Sequence, residues 1–136
     1  MHGTAGLFVT GCQLFGGTGI WSCTSDRGTK TAFVPIDTLE VLRKVTTLPI
    51  TRWRFNAESE AVRHLGPMSQ DFYEAFGLGQ DDKMISMLDA QGVSLAAIQG
   101  LDQIVQEKDK RIDALEKAVA DLGRKLQLIS ARIGIE

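Results

Sequence analysis

A heptad repeat over the last third of the chain restricts its fold more than any other feature. With Ile98 as position a, the a residues are Ile98, Val105, Ile112, Val119, Leu126 and Ile133. The d residues are Leu101, Lys108, Leu115, Leu122 and Ile129. Ten of these eleven positions are apolar, Lys108 being the exception. Apolar side chains recurring at this period for five heptads describe a coiled-coil seam rather than the face of a surface helix. A helix from about 94 to 133 would run on the order of 60 Å. No small domain covers that length, so the seam must meet other helices, and the chain is expected to form an oligomer. Strand number stays open on these residues. β-Branched a residues with Leu at d favour two strands, whereas Leu126 beside Ile129 leans towards more. Lys108 interrupts the seam, and Gly100 and Gly123 each weaken the helix by about 1 kcal/mol relative to alanine.

The 136-residue chain has an ordinary globular composition, 43% hydrophobic and 24% charged. With a formal net charge of −2 and no one-sign basic patch, it has no electrostatic footprint for nucleic acid. No run of 18 apolar residues is present, so no membrane span is expected. The start of the sequence lacks a basic n-region and a long apolar h-region, so a signal peptide is not expected. Cys12 and Cys23 have no histidine beside them and make no zinc site by themselves. They read as small buried or half-buried side chains. No metal and no cofactor is expected.

Residues 3 to 24 carry six of the fourteen glycines, punctuating Leu7, Phe8, Val9, Leu14, Phe15, Ile20 and Trp21. Short apolar runs between glycines predict strands with tight turns. So short a piece cannot bury its own apolar face and needs partner strands. Residues 25 to 36 read as polar and irregular. Asp37, with Glu40 three positions on, predicts a helix over about 38–47, ended by Pro49. Residues 50–55 roughly alternate and predict a half-buried strand with Ile50, Trp53 and Phe55 in the core. Residues 62–65 are a candidate partner strand across the 56–61 loop. His64 stands apart from any cysteine and reads as a structural or surface histidine. A short helix over 67–76 is expected, with Pro67 in its first turn, an aromatic face of Phe72, Tyr73 and Phe76, and Gly77 after its end. Asp81 and Asp82 read as a solvated loop, and residues 84–88 as a strand. The fold class is therefore α+β: a β-rich stub over 1–24, a mixed body over 25–93 and a coiled-coil helix over 94–136.

The candidate chemistry lies in Ser25-Asp26-Arg27-Gly28-Thr29-Lys30. On its own this stretch reads as a solvated turn, with Gly28 supplying a flexible backbone. A serine with a lysine five residues later is also the pattern of a nucleophile and its base, but it needs a confirming context.

Several segments taken together supply that context. Ser25-Asp26 with Lys30, Pro35-Ile36-Asp37, Val41-Leu42, Leu48-Pro49-Ile50 and Trp53 resemble the start of the endosialidase-type intramolecular chaperone domain. Arg63 to Phe72 is similar to its most distinctive block, and Asp89 to Leu101 to its run into a terminal coiled coil. The resemblance covers about residues 25 to 133. It implies a C-terminal module of phage tail spikes, tail fibres and some bacterial surface proteins. Such a module forms a homotrimer, assists folding of the upstream β-stem of the same polypeptide, and then cuts itself off. It implies a cut between Thr24 and Ser25, with Ser25 as nucleophile and Lys30 as general base. Thr29 departs from the family pattern, in which an apolar residue commonly precedes the lysine. Assembly in a host or bacterial cytoplasm follows, with the parent protein in a virion tail or on a cell surface and the chaperone part released.

Under this resemblance Ser25 attacks the carbonyl of the residue before it, and water releases the ester. Lys30 has to be neutral to take the proton, which burial by neighbouring chains supplies. Ile98, Leu101, Val105, Ile112, Leu115, Val119, Leu122, Leu126 and Ile129 are the expected oligomerisation residues. Two other readings stand beside this one: a trimerisation foot that does not cut, and a coiled-coil adaptor that binds another helix.

Overall fold

The computed structural model describes residues 11–14, 16–17 and 19–134. The chain forms two compact units, one ending at Ile36 and one beginning at Asp37. The class is α+β, with two small antiparallel sheets and a long terminal helix.

In the first unit, β1 (Cys12–Leu14) pairs with β2 (Trp21–Cys23), placing Cys12 opposite Cys23 and Leu14 opposite Trp21. The Thr24 N–H donates to the Gly11 carbonyl at 2.8 Å, which makes the flanking pair the hydrogen-bonded one. Cys12 and Cys23 then occupy the non-hydrogen-bonded pair, where opposed side chains come closest. They form a disulfide. The reading of both as buried or half-buried side chains is corrected accordingly: Cys12 is exposed, Cys23 is half-buried, and the strand register sets one against the other. Leu14, Ile20 and Trp21 are all exposed on this hairpin.

The second unit opens with α1 (Thr38–Thr47). Asp37 Oδ1 accepts from the N–H groups of Leu39 at 2.9 Å and Glu40 at 3.1 Å, closing two of the donors that a helix start leaves open. Glu40 pairs one turn on with Lys44 at 3.1 Å. Pro49 cannot extend the helix. The strands β3 (Thr51–Trp53) and β4 (His64–Gly66) follow, with Trp53 opposite His64. The Trp53 ring lies 4.7 Å from that of His64 and 4.9 Å from that of Phe55. The core here is thinner than the alternation predicts. Ile50 and Phe55 are exposed, and only Trp53 of the three is half-buried. A two-stranded ribbon offers little surface of its own to bury such side chains.

Helix α2 (Ser69–Phe76) starts two residues later than expected. Pro67 falls outside it, and Met68 occupies the cap position without a side-chain bond. Gly77 ends it in the left-handed region at φ 62°, its N–H on the Tyr73 carbonyl at 2.8 Å. Phe72 is buried against Phe76, whereas Tyr73 is exposed. In the loop beyond, Asp81 accepts from the Lys83 backbone N–H and Asp82 pairs with the Lys83 side chain.

The expected strand over 84–88 does not form. Ser86 Oγ accepts from the Asp89 N–H and starts α3, which runs from Met87 to Ile133. A serine cap with an acid in the first turn overrides a short apolar run that carries no alternation. The helix thus begins seven residues before Ser94 and is about 70 Å long. Val93, Ala96, Ala97 and Gly100 form its buried stripe, and α1 packs there. A Cβ on Gly100 would lie 2.3 Å from the Thr38 carbonyl oxygen. Gly100 is therefore a point where the two helices approach too closely for a side chain, which gives a reason for a residue that weakens the helix itself. Gln103 adds a bond to Thr38 Oγ1 at 3.0 Å. No helix among the described residues is long and apolar enough to cross a membrane.

Candidate functional site

Ser25 lies two residues beyond the end of β2, and Asp26 after it has an extended backbone. Asp26 then starts a single 3₁₀ turn over Arg27–Thr29. Asp26 Oδ1 accepts from the Gly28 N–H at 2.8 Å, and the Thr29 hydroxyl donates to the Asp26 carbonyl at 2.8 Å. Backbone bonds from Thr29 to Asp26 and from Lys30 to Arg27 are longer, both 3.2 Å. The turn doubles the chain back, so that Lys30 Nζ donates to Ser25 Oγ at 2.6 Å. The two residues that the sequence nominates as nucleophile and base are therefore in direct contact.

Gly28 is not used here for a left-handed conformation; what the turn takes from it is the backbone N–H. The Arg27 guanidinium lies over the Phe33 ring at 5.3 Å from its centre. Ala32, two residues beyond Lys30, has φ 54°, an unusual conformation for a residue with a Cβ. Ser25 and Lys30 are both exposed, and Thr29 between them is half-buried.

Phe33, Val34 and Ile36 are exposed immediately after the dyad, at 61, 77 and 63%. Sequence reasoning took 25–36 as polar loop and passed over them. The signal was present: three large apolar side chains within four residues, bounded by Lys30 and Asp37. A run of this kind left in water marks a surface awaiting a partner.

The heptad residues all lie on α3. Ile98, Leu101, Val105, Ile112, Leu115, Val119, Leu122, Leu126 and Ile129 are exposed by 46 to 68% along α3. His64 takes no part in the dyad's hydrogen bonds. Its Nε2 lies 3.0 Å from both carboxylate oxygens of Glu58, which also accepts from the Phe55 N–H at 2.9 Å. The Phe55 N–H first, and the His64 ring second, hold the Glu58 carboxyl below the usual carboxylate range. This cluster pins the 55–64 connection between β3 and β4.

Residues 25–77 match the family described as chaperone of endosialidase, a family classed among the peptidases. The match begins at Ser25 and takes in the dyad turn, α1, both strands of the second sheet and α2. No curated protein matches the chain.

Proposed function

We propose that this chain, carrying an endosialidase-chaperone domain over residues 25–77, is a C-terminal intramolecular chaperone that releases itself by cutting between Thr24 and Ser25. The observation that carries the reading is the 2.6 Å contact between Lys30 Nζ and Ser25 Oγ, at the residue where the family match begins. The client is the upstream β-stem of a trimeric tail fibre or spike, folded in a host or bacterial cytoplasm before release. The exposed seam of α3 supports assembly of three chains through a coiled coil.

The chemistry needs no substrate pocket, because nucleophile and target are joined covalently. Ser25 Oγ attacks the Thr24 carbonyl carbon while its proton passes to Lys30 Nζ. The C–N bond to Ser25 breaks, and the leaving amine takes the proton back. Thr24 is then held as an ester on Ser25 Oγ. Water, with Lys30 again as base, hydrolyses that ester to a Thr24 carboxylate and a free Ser25 amine.

An amine accepts a proton only when neutral, and desolvation is how a folded protein achieves this at a lysine. The single chain leaves the dyad exposed, so the covering surface has to come from neighbouring chains and the folded stem. Phe33, Val34 and Ile36 supply apolar surface beside Lys30 for that contact. Cutting thereby waits for assembly.

The test is mass spectrometry and a denaturing gel on the chain with its natural stem. The expected pieces end at Thr24 and begin at Ser25, and Ser25→Ala or Lys30→Ala leaves one intact band. The pieces separate without reductant, because Cys12 and Cys23 both lie on the stem side of the cut. An intact wild-type band favours a trimerisation foot that does not cut.

A further inference from the structure

We propose that Thr29 and Asp26 are positioning residues for this cut: together they clamp the turn that returns Lys30 to Ser25. The inference rests on the dyad reading given above. In an extended chain, five residues would carry Lys30 on the order of 17 Å from Ser25. The lysine reaches back only because Arg27–Thr29 turns the chain.

The backbone of that turn is weak by itself. One 3₁₀ turn fixes several dihedrals for two hydrogen bonds, both of them 3.2 Å here. The two side-chain bonds are shorter, at 2.8 Å, and both converge on Asp26. The carboxylate accepts from the Gly28 N–H, and the Thr29 hydroxyl donates to the Asp26 carbonyl. One clamp is thus set beside the nucleophile and the other beside the base. Thr29 is β-branched and stiff at χ1, so its hydroxyl is held where the turn requires it. At the position where Thr29 departs from the family pattern, its hydroxyl makes a hydrogen bond inside the turn.

Neither group bonds to Ser25 Oγ or Lys30 Nζ, so both act through geometry. Asp26 has a second conceivable role, since a carboxylate near an amine favours its charged form and so opposes a base. The two roles make opposite predictions for Asp26→Asn. The amide oxygen still accepts from the Gly28 N–H, while the negative charge is gone.

The experiment is the single-turnover rate of self-cleavage against pH, in the full chain with its stem. Oligomeric state is measured alongside for every variant. Thr29→Val and Asp26→Ala are expected to cut at least about tenfold more slowly in an unchanged oligomer, the scale of loss a misplaced reacting group brings. Thr29→Ser and Asp26→Asn are expected to restore the wild-type rate with the pH midpoint unmoved. Thr29→Val and Asp26→Ala cutting at the wild-type rate would overturn the clamp and leave the dyad standing. An Asp26→Asn midpoint displaced to lower pH would assign Asp26 to charge instead. Wild type and Ser25→Ala both remaining whole would remove the dyad reading, and this inference with it.

Discussion

The two faces of α3 meet opposite fates in the single chain. Near its start, Val93, Ala96, Ala97 and Gly100 lie buried under α1. Around the helix from that stripe, and for the rest of its length, Ile98, Leu101, Val105 and their successors lie in water. The buried stripe is built from small residues, and the exposed seam from large ones. Small side chains let two backbones approach closely, so a ten-residue helix can cover them. Large side chains repeating over five heptads need a partner as long as α3 itself. One helix thus carries an intramolecular joint and, under the assembly proposed above, an intermolecular one.

The comparison breaks most severely at the seam. Leu115→Asp puts a charge where neighbouring helices would bury it, and it is expected to cost several kcal/mol of assembly, on the order of 3 to 5. Light scattering should then report monomers, with α1 still docked by circular dichroism. Self-cleavage should fall with assembly. A trimer persisting in this variant would show that the seam is not what joins the chains.

The glycines of α3 sharpen the contrast, because one substitution should change sign between them. Gly100→Ala drives a Cβ into the Thr38 carbonyl at 2.3 Å and is expected to destabilise the α1 joint by about 1 to 3 kcal/mol. Gly123→Ala meets nothing within 4 Å and should stabilise the helix by about 1 kcal/mol. Paired thermal melts test this directly, and equal effects at the two sites would remove Gly100 from the joint.

The smallest effect concerns the β3–β4 connection, which neither joint supports. Glu58 has its folded value held down by the Phe55 N–H and then by His64. Its contribution is therefore present above the unfolded value and is lost as pH falls through the folded one. Acid should loosen residues 55–64 before it disturbs α3, as read by hydrogen exchange. Glu58→Gln should make that local exchange nearly independent of acid. Uniform loosening of α3 and the connection would assign the acid response elsewhere.

Much of this was legible because local signals agreed. Asp37 as cap, Pro49 as stop and Gly77 past the end of α2 each act within one turn of backbone, and each stands where its residue type requires. Ser25 and Lys30 were legible as a pair only through the family resemblance of the segments around them, since the stretch by itself reads as a solvated turn. The misses arose where two signals competed or where a partner was distant in sequence. Ser86 and Asp89 outweighed the apolar run that read as a strand. Cys12 and Cys23 became a bonded pair only once the β1–β2 register set them opposite each other. Ile50 and Phe55 have the alternation of core residues, yet both stay exposed on the two-stranded ribbon.

Sequence alone determined the periodic elements and the identity of the chemical groups, because heptads, caps and turns depend on neighbours a few residues away. Gly100 shows what it could not decide. In sequence that glycine is a defect in a helix, and only its approach to the Thr38 carbonyl, more than sixty residues back, turns it into a joint. The clamp on Lys30 has the same character. Residue types nominate a hydroxyl and an amine, but hydrogen bonds through Asp26 and Thr29 set the distance between them. Distances of that kind belong to the folded chain, since backbone packing fixes the one at Gly100 and hydrogen bonds of the turn fix the one at Lys30.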